Sequence, residues 1–370
     1  MELFTKIDIP ASSIRIDYTS RIAFFGSCFA DNISAQFAAR KFGVLANPFG
    51  TVYNPVSIAR QIRAIADGKV FKEEDVFQDA RGTQGASGNQ DARGPWYSWD
   101  AHGSLSAATR EECIAKLNDA ASCAREFLQQ ANIVFITLGT AFVYFLKDGR
   151  AVANCHRQDP ALFDRRMISV EEAAQALKNI VQDLTRIKRD WIATPTARDD
   201  DRKFHIVFTV SPLRHMGDGA HNNTLSKATL LLAINSIKQK TMDSIGSASL
   251  QNDKASRAST GYFPSYEIVM DELRDYRFYA DDMIHLSKTA EEYIFERMAE
   301  SYCSEKTRAD IAQVEKFMKG ANHRITDPDS PATRAFAEKI LAQARTLEKS
   351  IPGLNLDEEI AKFSKISGNP

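Results

Sequence analysis

The chain is expected to adopt an α/β fold in which a largely parallel sheet lies between layers of helix. Three observations carry that expectation. Short apolar runs at 22–25, 133–138 and 204–210 are each followed by a segment with helical spacing, and alternation of this kind is how βαβ units read in sequence. Ile133-Val134-Phe135-Ile136-Thr137-Leu138 is continuously apolar rather than alternating, a pattern suited to a strand buried on both faces. The first run passes through Gly26-Ser27 directly into a helical repeat, which places Ser27 at a strand-to-helix turn.

Phe29, Ile33 and Phe37 recur at four-residue spacing, so a helix follows Ser27 and is capped by Gly43. Val44-Leu45 reads as a second short strand ending at Asn47-Pro48-Phe49-Gly50, and Ile58, Ile62 and Ile65 mark an amphipathic helix. Between 82 and 103 the sequence is rich in Gly, Ser, Asn and Gln but punctuated by Trp96, Tyr97, Trp99 and His102. Periodic structure is not expected there. An insertion over about 78–104 reads either as a flap pinned by its own aromatics or as a lid over a site.

Residues 110–130 set Ile114, Leu117, Ala121, Ala124 and Leu128 on one side of a helix, and 171–188 do the same with Ala174, Leu177, Ile180, Val181 and Leu184. After the strand at 204–210, residues 227–242 read as helix, opened by Ser226-Lys227, and 266–270 as a last short strand. From Ser287 the pattern is helical, with further helices at 309–318, 331–349 and 356–363. The expected division is a domain over 1–304 and a C-terminal helical extension over 305–370, which covers the domain or pairs subunits in a homo-oligomer.

Composition narrows the function classes. Lys plus Arg total 47 against 48 for Asp plus Glu, so nothing argues for nucleic acid or an anionic membrane surface. The opening residues lack the apolar core of a secretion signal, and no stretch approaches the roughly 20 apolar residues that span a bilayer. Five cysteines at irregular spacing, with no Cys-x-x-Cys pair, fit free thiols in a reducing cytoplasm.

A residue at a strand's carboxyl end and a helix's amino end faces the crevice where open α/β sheets bind ligands. There the helix dipole and unpaired N–H groups stabilise negative charge. Ser27 is thus a candidate nucleophile. Asp282-Met283-Ile284-His285 offers a base and the acid that orients it, with Ser287 as the N-cap of the next helix and Asp281 as a competing acid. A thiolate at Cys28 is the rival, since helix N-termini favour it. Adjacent helical residues point about 100° apart, however, so Ser27 and Cys28 do not both face the crevice, and Cys28 reads as a buried small hydrophobe. His215, Asp218 and His221 are spaced three apart, but Gly217 and Gly219 loosen the segment and no second ligand set accompanies them, so neither metal nor cofactor is expected.

Gly26-Ser27-Cys28-Phe29-Ala30, then Asn47-Pro48-Phe49-Gly50-Thr51-Val52-Tyr53-Asn54-Pro55, Thr137-Leu138-Gly139-Thr140-Ala141, Asn154-Cys155-His156, Ser211-Pro212-Leu213-Arg214-His215 and Asp282-Met283-Ile284-His285 occur in this order. Together they resemble the GSCFA family, a branch of the SGNH/GDSL hydrolase superfamily, over about 24–298. The resemblance implies a three-layer α/β/α, flavodoxin-like fold and a serine esterase in which Ser27 attacks, His285 is the base and Asp282 the acid. The amides of Ser27 and Gly50 are the implied oxyanion donors. The superfamily's third donor is an asparagine in a Gly-x-Asn-Asp block, but the matching place here reads Gly139-Thr140-Ala141-Phe142. Thr140, Asn54 or a residue of the 154–156 segment is expected in its stead.

Trp99 and His102, in an arrangement that also resembles the family, join Asn154, His156, Arg214 and His215 as candidate substrate contacts. A plain internal hydrogen-bond network is the alternative for the last four. The implied substrate is an O-acyl ester, such as an O-acetyl group, on a carbohydrate-like or small polar molecule. Water as acceptor gives hydrolysis and a second alcohol gives acyl transfer. A non-catalytic carbohydrate- or metabolite-binding module is the competing expectation, argued from the missing asparagine.

Overall fold

The computed structural model describes residues 5–79, 94–192, 204–245, 258–327 and 330–368. Most of the flap expected over 78–104 lies outside the described residues. Two compact units make up the chain. The first comprises Met1–Ile7, Ile22–Asn32 and Leu45–Ala290, and the second Asp8–Arg21, Ile33–Val44 and Glu291–Pro370.

The first unit is organised on a five-stranded sheet made of β1 (Arg21–Gly26), β2 (Gly43–Ala46), β5 (Ile133–Leu138), β9 (His205–Val210) and β10 (Ser259–Tyr262), in the order β10-β9-β5-β1-β2. β1, β5, β9 and β10 run parallel, with Phe24 opposite Phe135 and Phe135 opposite Val207. Counted among themselves these strands follow the doubly wound order 2-1-3-4-5, whose direction of winding reverses between β1 and β5. Ser27 directly follows β1 at that reversal, the place where open α/β sheets generally bind ligands.

Helix α1 (Cys28–Ala39) follows β1, and α2 (Pro55–Ala66) follows β2. α3 (Arg110–Gln130) leads into β5, α4 (Val170–Ile192) precedes β9, and α5 (Ala220–Ile245) precedes β10. Pro55 at the first turn of α2 and Thr109 capping α3 set those helix starts. Ile58, Ile62, Leu117, Leu128, Leu177 and Ile180 join Ala23, Phe25, Val134, Ile136 and Phe208 in one buried core. Their spacing of three and four residues is what brings each helix down on the sheet.

Several local expectations are corrected. The segment at 266–270 is not a strand. α6 (Ser265–Glu267) is one helical turn that widens into a π-turn at Ile268–Glu272, because Ile268 and Val269 satisfy their burial on a turn as well as on a strand and so short an apolar run does not choose between them. α5 starts at Ala220, so Ser226-Lys227 lies inside the helix rather than opening it. The left-handed residue after α1 is Lys41 (φ 64), not Gly43, which begins β2. Two small sheets were not foreseen. β3 (Phe77–Gln78) pairs antiparallel with β4 (Trp96–Tyr97), and β6 (Phe142–Leu146) pairs antiparallel with both β7 (Ala151–Val152) and β8 (Phe163–Met167). These strands are short and, apart from the buried two-residue β7, half exposed, so they carry little hydrophobic periodicity.

The second unit contains α7 (Lys288–Tyr302) from Glu291 on, α8 (Glu305–Ala321), α9 (Pro331–Ser350) and α10 (Asp357–Ser367). Phe37 packs edge-on against Phe42 and Phe295 at 5.4 and 5.0 Å, Tyr18 stacks on Phe42 at 4.4 Å, and Arg40 covers the Phe295 ring while pairing with Glu315. These contacts tie 8–21 and 33–44 to the C-terminal helices within the second unit. Among the described residues no helix is long and apolar enough to cross a membrane.

Candidate active site

The turn that carries Ser27 is set by Gly26. Its φ is +136°, and a Cβ there would stand 2.0 Å from the Thr137 carbonyl oxygen, so glycine is what lets the end of β1 approach β5 this closely. The Gly26 amide donates to Asn47 Oδ1 at 2.7 Å, and the Gly26 carbonyl accepts from the Val52 amide at 3.0 Å. Asn47 is itself left-handed (φ 38), a conformation asparagine tolerates. Its Nδ2 donates to Asp31 Oδ1 at 2.7 Å, while the Thr51 hydroxyl donates to Asp31 Oδ2 at 2.8 Å. Sequence reasoning noted Asn47 only within a motif and passed over Asp31; a polar residue one turn into the helix gave no distinguishing signal.

Ser27 closes this turn. Its carbonyl accepts from the Ala30 amide at 2.7 Å as α1 begins. Ser27 is 2% exposed, and its Oγ is buried without a hydrogen-bond partner among the described residues. A buried hydroxyl normally has one. Gly139, at the exit of β5, lies against it: a Cβ on Gly139 would be 3.3 Å from Ser27 Cβ and 3.2 Å from the Tyr53 carbonyl oxygen, which accepts from the Gly139 and Thr140 amides at 2.7 and 2.9 Å.

Asp282 and His285 form a dyad in the loop before α7. His285 Nδ1 donates to Asp282 Oδ2 at 2.5 Å, and Asp282 Oδ1 accepts from the Ile284 and His285 amides at 2.9 Å each. The His285 ring, then the two backbone donors, holds the Asp282 carboxyl down at about 2, so it stays ionised near neutral pH. With Nδ1 committed as donor, Nε2 of a neutral His285 ring is left as the proton acceptor. Met283 is left-handed (φ 57), and its carbonyl accepts from Arg214 Nη2 at 2.5 Å, with the Arg214 guanidinium also over the Tyr279 ring. Arg214 follows β9, so the dyad loop is tied to the carboxyl edge of the sheet on which Ser27 sits two strands away, about 10 Å across the ladder. The Ser27–His285 hydrogen bond is not made in this arrangement.

Arg214 therefore positions a loop. Replacing it with Met is expected to speed amide hydrogen exchange across 280–286 by about 10-fold, the equivalent of one charge-assisted hydrogen bond. The melting temperature should change little. Exchange mass spectrometry on the two proteins checks this, and unchanged exchange would mean that the loop holds itself.

Three of the four oxyanion candidates are engaged elsewhere, and the fourth, Asn54, is engaged through its accepting oxygen. The Ser27 amide donates to the Thr137 carbonyl at 3.2 Å, and the Gly50 amide to the Asn47 carbonyl at 2.7 Å. The Thr140 hydroxyl bonds Ser226 Oγ at 3.1 Å and accepts from the Phe142 amide, and the Asn54 oxygen caps α2 through the Ser57 amide at 2.8 Å. Burial and the charge of Asp31 raise the Cys28 thiol above its usual range against the pull of the α1 amides, so a thiolate is disfavoured there.

Two of the remaining candidates, Trp99 and His156, belong to one aromatic cluster. Trp99 stacks on Phe77 at 3.9 Å and meets Phe163 edge-on, and His156 sits 4.6 Å from Tyr97. His156 Nε2 donates to the Ser98 carbonyl at 2.8 Å, and Asn154 Oδ1 accepts from the His156 amide. Burial pushes the His156 pKa down to about 4, so the ring is neutral. His102 donates its amide to the Phe49 carbonyl and accepts from Ser104 through Nδ1. Asn154 and His156 thus hold the loop that carries Trp99. His215 Nδ1 bonds Asp218 Oδ2 at 2.8 Å, and Asp218 also pairs with Arg165. Among the described residues no group of three or more His, Cys, Asp or Glu is placed to hold a metal.

No curated protein and no solved structure matches the chain. The family model described as GSCFA domain protein, C-terminal domain, matches residues 314–366. The model described as GSCFA family matches residues 21–298, from the first residue of β1 through the Ser27 turn and the Asp282–His285 loop into α7, and the chain belongs to that family.

Proposed function

We propose that this chain is a serine esterase of the SGNH type, acting on an O-acyl ester of a carbohydrate-like or small polar molecule. One observation carries the reading: a buried serine hydroxyl with no hydrogen-bond partner among the described residues, at a helix N-terminus, on the same sheet edge as an ionised aspartate paired with a histidine. Substrate binding brings His285 Nε2 to Ser27, since catalytic hydrogen bonds are often long before substrate arrives. Ser27 Oγ then attacks the ester carbonyl and gives its proton to Nε2. The tetrahedral intermediate expels the alcohol, which takes that proton. Water, deprotonated by His285, releases the acid and restores Ser27. Asp282 stays ionised throughout and keeps Nδ1 protonated.

The occupied oxyanion candidates favour one competitor, a module that binds such esters without cleaving them. Turnover separates the two. The full chain is expected to release acetate from nitrophenyl acetate and from peracetylated monosaccharides. Saturable binding of acetylated sugars by calorimetry with no acetate released would overturn the esterase reading. All five cysteines are free, which supports a reducing compartment.

A further inference from the structure

We propose that Lys227 is the charge that makes the Ser27 turn anion-stabilising, in place of a side-chain oxyanion donor. The proposal deepens the esterase reading and rests on it for its catalytic consequence. Lys227 lies two turns into α5 and is 1% exposed. Its Nζ donates to the Gly139 carbonyl at 2.6 Å and to the Ser211 carbonyl at 2.7 Å, at the exits of β5 and β9. Both partners are neutral, and among the described residues no carboxylate pairs with it. A buried ammonium so placed is costly unless a negative charge comes to it.

The place where such a charge develops is adjacent. Gly139, whose carbonyl receives one Lys227 N–H, is the residue packed against the Ser27 side chain. An ammonium has three N–H donors and two are used here. Lys227 also acts electrostatically on Cys28, the residue after Ser27. Of the groups expected to receive an oxyanion, the Ser27 and Gly50 amides and the Thr140 hydroxyl are already hydrogen-bonded within the protein, and Asn54 is held through its oxygen at the start of α2. A positive charge beneath the turn, in a buried site, does the same work at longer range. Burial drives the Lys227 pKa down to about 7, so a negative charge nearby draws its proton back on.

Bracing is the competing role, since Lys227 ties two strand exits together. Ser226, its neighbour, braces the same exit through the Ala141 amide at 2.7 Å but carries no charge, which makes Ser226→Ala the control. Cys28 supplies a readout that needs no enzyme activity. The groups whose charges act on it are Asp31 on its own helix and Lys227 on α5, and it in turn acts on Tyr53.

In the full chain, the pH dependence of Cys28 alkylation by iodoacetamide, mapped by peptide mass spectrometry, is compared in wild type, Lys227→Met and Ser226→Ala, with circular dichroism confirming the fold. Lys227→Met is expected to slow Cys28 alkylation at pH 6, where Lys227 carries its proton, by about 10-fold, one unit of thiol pKa. Ser226→Ala is expected to leave it unchanged. Ester hydrolysis in Lys227→Met should lose about 10²-fold in kcat with KM unchanged. If Lys227→Met does not fold, Lys227→Gln takes its place. A folded variant with the wild-type Cys28 titration overturns the proposal whatever its activity. If the wild type cleaves no ester, the esterase reading falls, and the Cys28 titration still decides whether Lys227 makes this turn anion-stabilising.

Discussion

Ser27→Ala is expected to lower ester hydrolysis by at least about 10³-fold while leaving the fold in place. Most buried serines cannot be changed so cleanly, because alanine strands a hydrogen-bond partner. Ser27 Oγ has none among the described residues, so the melting temperature should stay within a degree or two of wild type, a rough bound from the absence of any broken bond. His285→Ala should cost a similar factor, and the double variant no more than the worse single one, since groups that act as a unit are not additive. Steady-state kinetics beside thermal melts of the three variants test this. Independent, multiplying losses would mean that the two residues do not share a step.

The second large effect is on the turn itself. Gly26→Ala is expected to destabilise the protein by at least about 3 kcal/mol, the sum of a forbidden φ and an overpacked contact. The added methyl meets a backbone oxygen on the neighbouring strand, and β1 cannot move away without losing its pairing with β5. Gly149 is the control: its φ is +84° but a Cβ there meets nothing within 4 Å. Gly149→Ala should therefore cost only the conformational part, about 1 kcal/mol. Urea unfolding of both variants separates the two contributions, and equal costs would show that sterics at Gly26 are not what shapes the nucleophile turn.

How much of this was legible in the residues depended on whether a signal was local. β5 and α3 occupy the residues their patterns indicated, 133–138 and 110–130, because a fully apolar strand and a long amphipathic helix are strongly periodic. The Asp282–His285 pair was legible for a related reason: three residues apart in a tight loop, they meet whatever the rest of the chain does. The antiparallel strands between 142 and 167 were not, since Phe142–Leu146 is half exposed and Phe163–Met167 reads Phe-Asp-Arg-Arg-Met. The segment at 266–270 was misread as a strand because a brief apolar run fits a turn equally well.

Lys227 shows the limit most clearly. Lysine is among the residues least often buried, and nothing in Leu225-Ser226-Lys227-Ala228 announces that its nitrogen ends at two strand exits far apart in sequence. The same holds for Asp31 and Asn47, whose roles appear only when β2 is laid beside β1. Oxyanion donors chosen by resemblance met the opposite fate. Gly50 and Thr140 stand at the expected places, but their hydrogen bonds close the turns they belong to.

Covalent capture tests whether Ser27 is a nucleophile activated by His285. The full chain is treated with a fluorophosphonate, digested, and the modified peptide identified by mass spectrometry. A phosphonyl group on Ser27, formed at least about 10²-fold more slowly in His285→Ala, is the predicted result. A protein that cleaves esters while Ser27 stays unmodified, or an adduct formed on Ser27 at the same rate without His285, would contradict it.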